Sequence, residues 1–138
     1  MQIRQFEPAD MARVIALWLE CGLLGPDSNP EFDIQLKRSD QPELFLVMTR
    51  DGQVIGTVLA GFQGVTAGIN YVAVAPNYRR RGIGAALVRE AERLLVSRGC
   101  QQVNLKVVTH NSGAKLFYHQ LGYRSIGPVR MRKRFSVG

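Results

Sequence analysis

Tyr71-Val72-Ala73-Val74-Ala75-Pro76-Asn77-Tyr78-Arg79-Arg80-Arg81-Gly82-Ile83-Gly84-Ala85-Ala86-Leu87 is the stretch whose reading decides the fold. It opens as a strand, with Val72 and Val74 beside small residues and Pro76 ending the run. It closes as a helix, because Ile83, Leu87, Ala91, Leu94 and Leu95 fall on one face at helical spacing. Between the two lie Arg79, Arg80 and Arg81, then Gly82 and Gly84. A helix N-terminus presents backbone N–H groups with no partner inside the helix, and the macrodipole adds partial positive charge there. Glycines let a ligand come close to those groups. The stretch therefore describes a cradle for a phosphate or pyrophosphate.

Two familiar phosphate motifs do not fit it. A Rossmann fingerprint needs a third glycine where Leu87 stands, and it belongs to the first strand–helix turn of a chain. A Walker A loop needs Gly-Lys-Ser/Thr, which the sequence lacks.

Upstream, Gln2 to Phe6 alternates as a short strand, and a helix carrying Met11, Val14, Ile15 and Trp18 runs to Gly22. Residues 25–30 form a loop by composition, and Glu31 to Arg38 a second helix with Phe32 and Leu36 on one side. After a polar connection over 39–43, Leu44 to Thr49 is a strand, and Asp51-Gly52 turns it into the strand Gln53 to Phe62. In that strand Gly56 marks a bulge or a close approach. A turn over Gly64 to Gly68 leads to the strand Ile69 to Ala75, which completes a meander.

Downstream, the helix from Gly82 stops at Gly99, and Val103 to Val108 is a strand. A helix connects it to the preceding strand, so the two are expected parallel with a right-handed crossover. Asn111 caps a last helix, Ser112 to Leu121, which Gly122 ends. Tyr123 to Ile126 and Val129 to Phe135 make a final hairpin, with Arg130, Arg132 and Arg134 on one face. The expected class is α/β (α+β): about six to seven strands, mostly antiparallel, around one parallel pair, with about four helices.

At 138 residues, 46% hydrophobic and 21% charged, the chain suits one globular domain spanning 1–138. No apolar run approaches the ~20 residues of a membrane span, so no membrane partner is expected. Cys21 and Cys100 have no metal or disulfide spacing, which points to a cytoplasmic location and no metal. A net charge of +7 asks for an anionic partner.

Arg-x-x-Gly-x-Gly (Arg79 to Gly84) directly after a Val-Ala-Val strand resembles the coenzyme-A signature of the GNAT superfamily of acetyl-CoA-dependent N-acetyltransferases. Asn111-x-x-Ala114-x-x-x-Tyr118-x-x-x-Gly122-Tyr123 is similar to that superfamily's second signature, and it follows one intervening strand later, as in the family. By periodicity alone Ala114, Phe117, Tyr118 and Leu121 make a core face. The resemblance implies splayed parallel strands, with the amides of Val72, Ala73 and Val74 pairing with the pantetheine arm of acetyl-CoA. It implies that the cradle of Arg79, Arg80, Arg81, Gly82, Ile83, Gly84 and Ala85 holds the pyrophosphate through its N–H groups from Arg80 to Ala85. It also implies that Asn111 bonds the pantetheine and that Tyr118 protonates the departing thiolate. The reaction implied is direct attack of a primary amine on the thioester, without a covalent enzyme intermediate.

The resemblance breaks at one position. Ribosomal-protein N-terminal acetyltransferases of this superfamily carry a glutamate base on the strand before the second signature, and Lys106 stands there in this chain. An ammonium at its ordinary pKa takes no proton. The base then comes from water relayed through Asn70 or Tyr71, or from Glu20, Asp27, Asp33 or Glu43. A small amine bearing a carboxylate or phosphate is expected to be a better acceptor than a peptide N-terminus. Two other readings stand beside this one. One is a basic nucleic-acid-binding module, disfavoured because no recognised nucleic-acid motif is present. The other is a non-catalytic GNAT-like domain that binds a coenzyme-A ester. A homodimer is an open alternative.

Overall fold

The structure, a computed structural model, describes residues 1–107 and 112–136. Seven strands form one sheet: β1 (Gln2–Gln5), β2 (Phe45–Arg50), β3 (Gln53–Gln63), β4 (Thr66–Val74), β5 (Gln102–Lys106), β6 (Arg124–Ser125) and β7 (Arg130–Arg134). Their order across the sheet is β1-β2-β3-β4-β5-β7-β6. Among the described residues only β4 and β5 pair in parallel. Four α-helices accompany it: α1 (Met11–Glu20), α2 (Pro30–Ser39), α3 (Ile83–Ser97) and α4 (Ser112–Gln120). The class and the parallel pair expected from the sequence are therefore present.

Helix α3 seals one face of the sheet. Ile83, Leu87, Val88, Ala91 and Leu95 are buried along it, and it packs so closely on β3 that a Cβ at Gly56 would lie 3.0 Å from Leu87 Cδ1 and 3.1 Å from Ile83 Cγ2. The same glycine stands beside a register shift between β2 and β3. Both readings of Gly56 thus apply at once. Glu92 of α3 is buried and accepts from Tyr123 Oη at 2.8 Å and from Lys133 Nζ at 2.9 Å, which ties α3 to β7 and to the end of α4. Lys133 also donates to Leu121 O at 2.7 Å.

One expectation needs correction, and two are completed by the burial of the helices. The turn after β3 is shorter than Gly64 to Gly68, because Gly68 already pairs with Gly61 and β4 begins at Thr66. In α2 the buried residue is Ile34, whereas Phe32 and Leu36 are 59% and 56% exposed. On α1 the fully buried set is Val14, Leu17 and Trp18, with Met11 and Ile15 at its margin.

Candidate functional site

The site forms where β4 stops being paired. Its parallel ladder with β5 runs through Thr66↔Gln102, Ala67↔Val103 and Gly68↔Asn104 and goes no further, although both strands continue. A cleft of about 1130 Å³ occupies the splay. Gly68, Asn70, Tyr71 and Val72 line one side of it, Asn104 to Val107 the other, and Ala114 and Tyr118 of α4 close one end. Lys37, Asp40 and Gln41 form the opposite wall. A second hollow of about 460 Å³ adds Asp33 and Leu36 beside Tyr71.

A bulge aims β4 at this point. Leu59 faces Asn70 but Thr57 faces Ala73, so β4 carries one extra residue there. Tyr71 takes it up with φ +51, a left-handed conformation that a tyrosine adopts only under constraint. The constraint is a buried relay. Trp18 Nε1 donates to Thr57 Oγ1 at 2.9 Å, and Thr57 Oγ1 donates to the Tyr71 carbonyl at 2.8 Å. The Trp18 ring stacks on the Tyr71 ring at 3.8 Å. The Tyr71 hydroxyl in turn donates to Asp33 Oδ2 at 2.6 Å. Burial, then this bond to Asp33, push the phenol up to about 12.

The glycine-rich loop follows. Ala86 N–H makes the first bond inside α3, to Gly82 O at 3.0 Å. The N–H groups of Ile83, Gly84 and Ala85 therefore head the helix without partners within it, and no side chain caps them. Gly82 has φ +77 and nothing within 4 Å of its Cβ position. Gly84 is different in kind: a Cβ there would sit 3.3 Å from the Phe117 ring. Its lack of a side chain serves α3–α4 packing, whereas Gly82 leaves open space. The three arginines also differ. Arg79 folds back, donating from Nε to Val74 O at 3.2 Å, and Arg81 lies over the Tyr78 ring at 5.3 Å. Arg80, with φ +63, is exposed.

Tyr118 lines the cleft and is only 9% exposed, edge-on to Phe117 at 5.0 Å and to Tyr123 at 5.5 Å. Burial raises its phenol to about 12, so it holds its proton at neutral pH. Val72, Ala73 and Val74 follow the bulge. Asn111 and His110 lie outside the described residues. Lys106 is exposed and lines the cleft.

Of the four carboxylates named from sequence, Glu20 pairs with Arg13 and Glu43 with Arg98, and Asp27 lines neither hollow. Asp33 alone of the four meets the site, through Tyr71. The sequence signal for that choice was weak, since it depends on a contact 38 residues apart. Cys21 is half-buried, with its Sγ 3.5 Å from Val74 O. Among the described residues there is no cluster of metal-binding side chains, and no helix is long and apolar enough to cross a membrane.

Comparison with known proteins matches residues 11–123 to the model of the Acetyltransferase (GNAT) family. An acetyltransferase of Yersinia pseudotuberculosis is 38% identical over 99% of this chain and 97% of its own length. The crystal structure of Ard1 from Thermoplasma volcanium superposes with a TM-score of 0.88 at 26% identity, covering 98% of this chain and 97% of that one. A GNAT family acetyltransferase from Brucella melitensis in complex with acetyl-CoA shares the fold, with a TM-score of 0.73 at 24% identity over 98% of this chain and 88% of that one.

Proposed function

The chain belongs to the GNAT acetyltransferase family, and on that premise we propose that it transfers an acetyl group from acetyl-CoA to the primary amine of a small molecule that carries an anionic group. The observation that supports this most is that the splay of β4 from β5 and the buried phenol of Tyr118 meet in one cleft, while β4 runs on through the glycine-rich loop into the uncapped N-terminus of α3.

In this reading the pantetheine arm lies along Val72, Ala73 and Val74 as an added strand would. The pyrophosphate sits on the N–H groups at residues 80–85, with Gly82 leaving room and Arg80 adding charge. Asn111 bonds the pantetheine. The amine nitrogen attacks the thioester carbonyl carbon, the C–N bond forms and the C–S bond breaks. The departing thiolate takes the Tyr118 proton. The proton lost by the amine passes to Asp33, directly or by way of water beside Tyr71. Lys106, at the position of the glutamate base in the N-terminal acetyltransferases, repels a cationic peptide N-terminus and attracts an anionic acceptor.

The test measures coenzyme-A release from acetyl-CoA with peptides, polyamines and amino acids, for wild type, Tyr118→Phe and Lys106→Glu. Tyr118→Phe should keep acetyl-CoA binding and lower kcat by about 10²-fold, the low end for a general acid, because a thiolate leaves readily. Lys106→Glu should shift preference toward peptides. An unchanged kcat in Tyr118→Phe, with chemistry rate-limiting, returns Tyr118 to a packing role. Efficient wild-type acetylation of a peptide α-amine, unaffected by Lys106→Glu, overturns the small-acceptor reading.

A further inference from the structure

The strand registers arrange one face of the sheet in rows that meet the cleft. Gln63, Thr66, Gln102 and Arg134 make one row. Gly61, Gly68, Asn104 and Arg132 make the next. Leu59 and Asn70 start the third, which Lys106 and Arg130 continue beyond the splay. In the middle row two glycines stand side by side, so the floor there is bare backbone. Both glycines line the cleft.

The floor has a cation at each end. Lys37 reaches over it from α2, with Nζ 3.4 Å from the Cβ position of Gly61. Lys37 is half-buried and takes part in none of the ion pairs among the described residues. Burial lowers its pKa, while Asp40 and Glu43 pull the other way without reaching it. At the other end Arg132 donates from Nε to Asn104 Oδ1 at 2.7 Å. That bond fixes the guanidinium plane and leaves its two terminal nitrogens unpaired among the described residues. Lys106 and Arg130 pair directly behind. A half-buried ammonium on the cleft wall, beside Asp40 but in no ion pair, and a guanidinium oriented by the cleft-lining Asn104 favour an anion between them. The Gly61–Gly68–Asn104–Arg132 row carries no aromatic side chain, and Phe45 and Tyr71 on this face are stacked with Trp18, so the floor offers no stacking platform for nucleic-acid bases.

We propose that the acceptor's carboxylate or phosphate seats over the Gly61–Gly68 floor, between the Lys37 ammonium and the Arg132 guanidinium. This rests on the acetyl-transfer reading and adds a length to it. The bulge at Tyr71 lies three residues along β4 from Gly68, a span of about 10 Å. The acceptor is thus an extended molecule with its amine at one end and its anion at the other: an ω-amino acid or an aminoalkyl phosphate rather than an α-amino acid.

The experiment compares 4-aminobutyrate, 6-aminohexanoate and 8-aminooctanoate with butylamine, hexylamine and octylamine. Aminohexyl phosphate forms a separate arm that distinguishes phosphate from carboxylate. In wild type the longer amino acids, or the phosphate, should exceed their neutral partners at least about 10-fold in kcat/KM, as expected for a charge-assisted contact. Glycine and 4-aminobutyrate should show little of that preference. In Lys37→Met/Arg132→Gln the ratio of anionic to neutral acceptor should collapse toward one, with the acetyl-CoA-induced rise in Tm unchanged. Gly68→Ala is a second probe: its Cβ would meet only Asn104 O, at 3.7 Å, so the fold accepts it while the floor fills. Its KM for the anionic acceptor should rise. Equal use of charged and neutral acceptors by wild type, or a preference that survives the double variant, overturns the seat. Calorimetric binding of 8-aminooctanoate reads the seat without turnover. Binding that the double variant abolishes supports it even if no acceptor is acetylated, in which case the transferase reading alone falls. No saturable binding and no turnover sinks both.

Discussion

The strands β5 and β7 have two faces that differ as much as any two surfaces of the molecule. On one, Val103, Leu105 and Met131 are buried beneath α3 and α4, and the polar groups that enter are fully matched, Glu92 taking both Tyr123 and Lys133. On the other, Gln102, Asn104, Lys106, Arg130, Arg132 and Arg134 alternate with them, and four of these six are cations outside any ion pair among the described residues. Successive side chains of a strand point to opposite sides, so one short sequence serves both purposes. The closed face holds the fold, and the open face is free to be read by a ligand.

That division can be broken from the closed side first. Glu92→Ala leaves the Lys133 ammonium and the Tyr123 hydroxyl without their shared acceptor. It should cost about 3 kcal/mol in denaturant unfolding, the scale for removing one partner of a buried pair. A loss under about 0.5 kcal/mol would mean that the clamp is incidental. Gly84→Val drives a side chain into Phe117 and should cost about 2 kcal/mol by overpacking. Gly82→Ala, strained by its φ but unopposed in space, should cost about 1 kcal/mol and weaken acetyl-CoA binding more than it weakens the fold. If the two glycine variants rank the other way in stability, the assignment of packing to one and ligand access to the other is wrong.

Alkali offers a finer probe. Tyr118 and Tyr123 on the closed side have raised pKa values, chiefly from burial, so the folded state favours their neutral forms. That stabilisation is complete below the unfolded value near 10 and is lost as pH climbs through the folded value of Tyr118, about 12. Tm should stay level from pH 7 to about 9 and fall above about 10, less steeply in Tyr118→Phe. The smallest effect belongs to the open face: Arg134→Gln should shift stability by no more than about 0.5 kcal/mol. A larger loss would show that this face carries structural weight.

Much of this was legible in the sequence. The strand–loop–helix around Arg79 to Gly84, the meander before it and the parallel pair after it follow from periodicity and punctuation. The illegible parts share a cause: they are settled by contacts distant along the chain. Phe32 and Leu36 have the spacing of a buried stripe, yet the helix is anchored through Ile34 and through Asp33 on Tyr71. Gly68 carries the composition of a turn, and its cross-strand partner Gly61 decides otherwise. The bulge is the clearest case. An aromatic residue is an unusual host for a left-handed backbone, and the bond from Thr57, the stacking on Trp18 and the bond to Asp33 hold it there.

The bulge also governs how this strand can change over time. Thr66, Gly68 and Asn70 look one way, but after Tyr71 it is Ala73 that looks the same way, so the parity of the strand switches from even to odd. A one-residue deletion between Asn70 and Ala73 would restore plain alternation only by straightening the strand where the site needs it bent. Without such straightening it would turn Val72 and Val74 away from α3. Substitutions in this segment are negotiable, but its length is not.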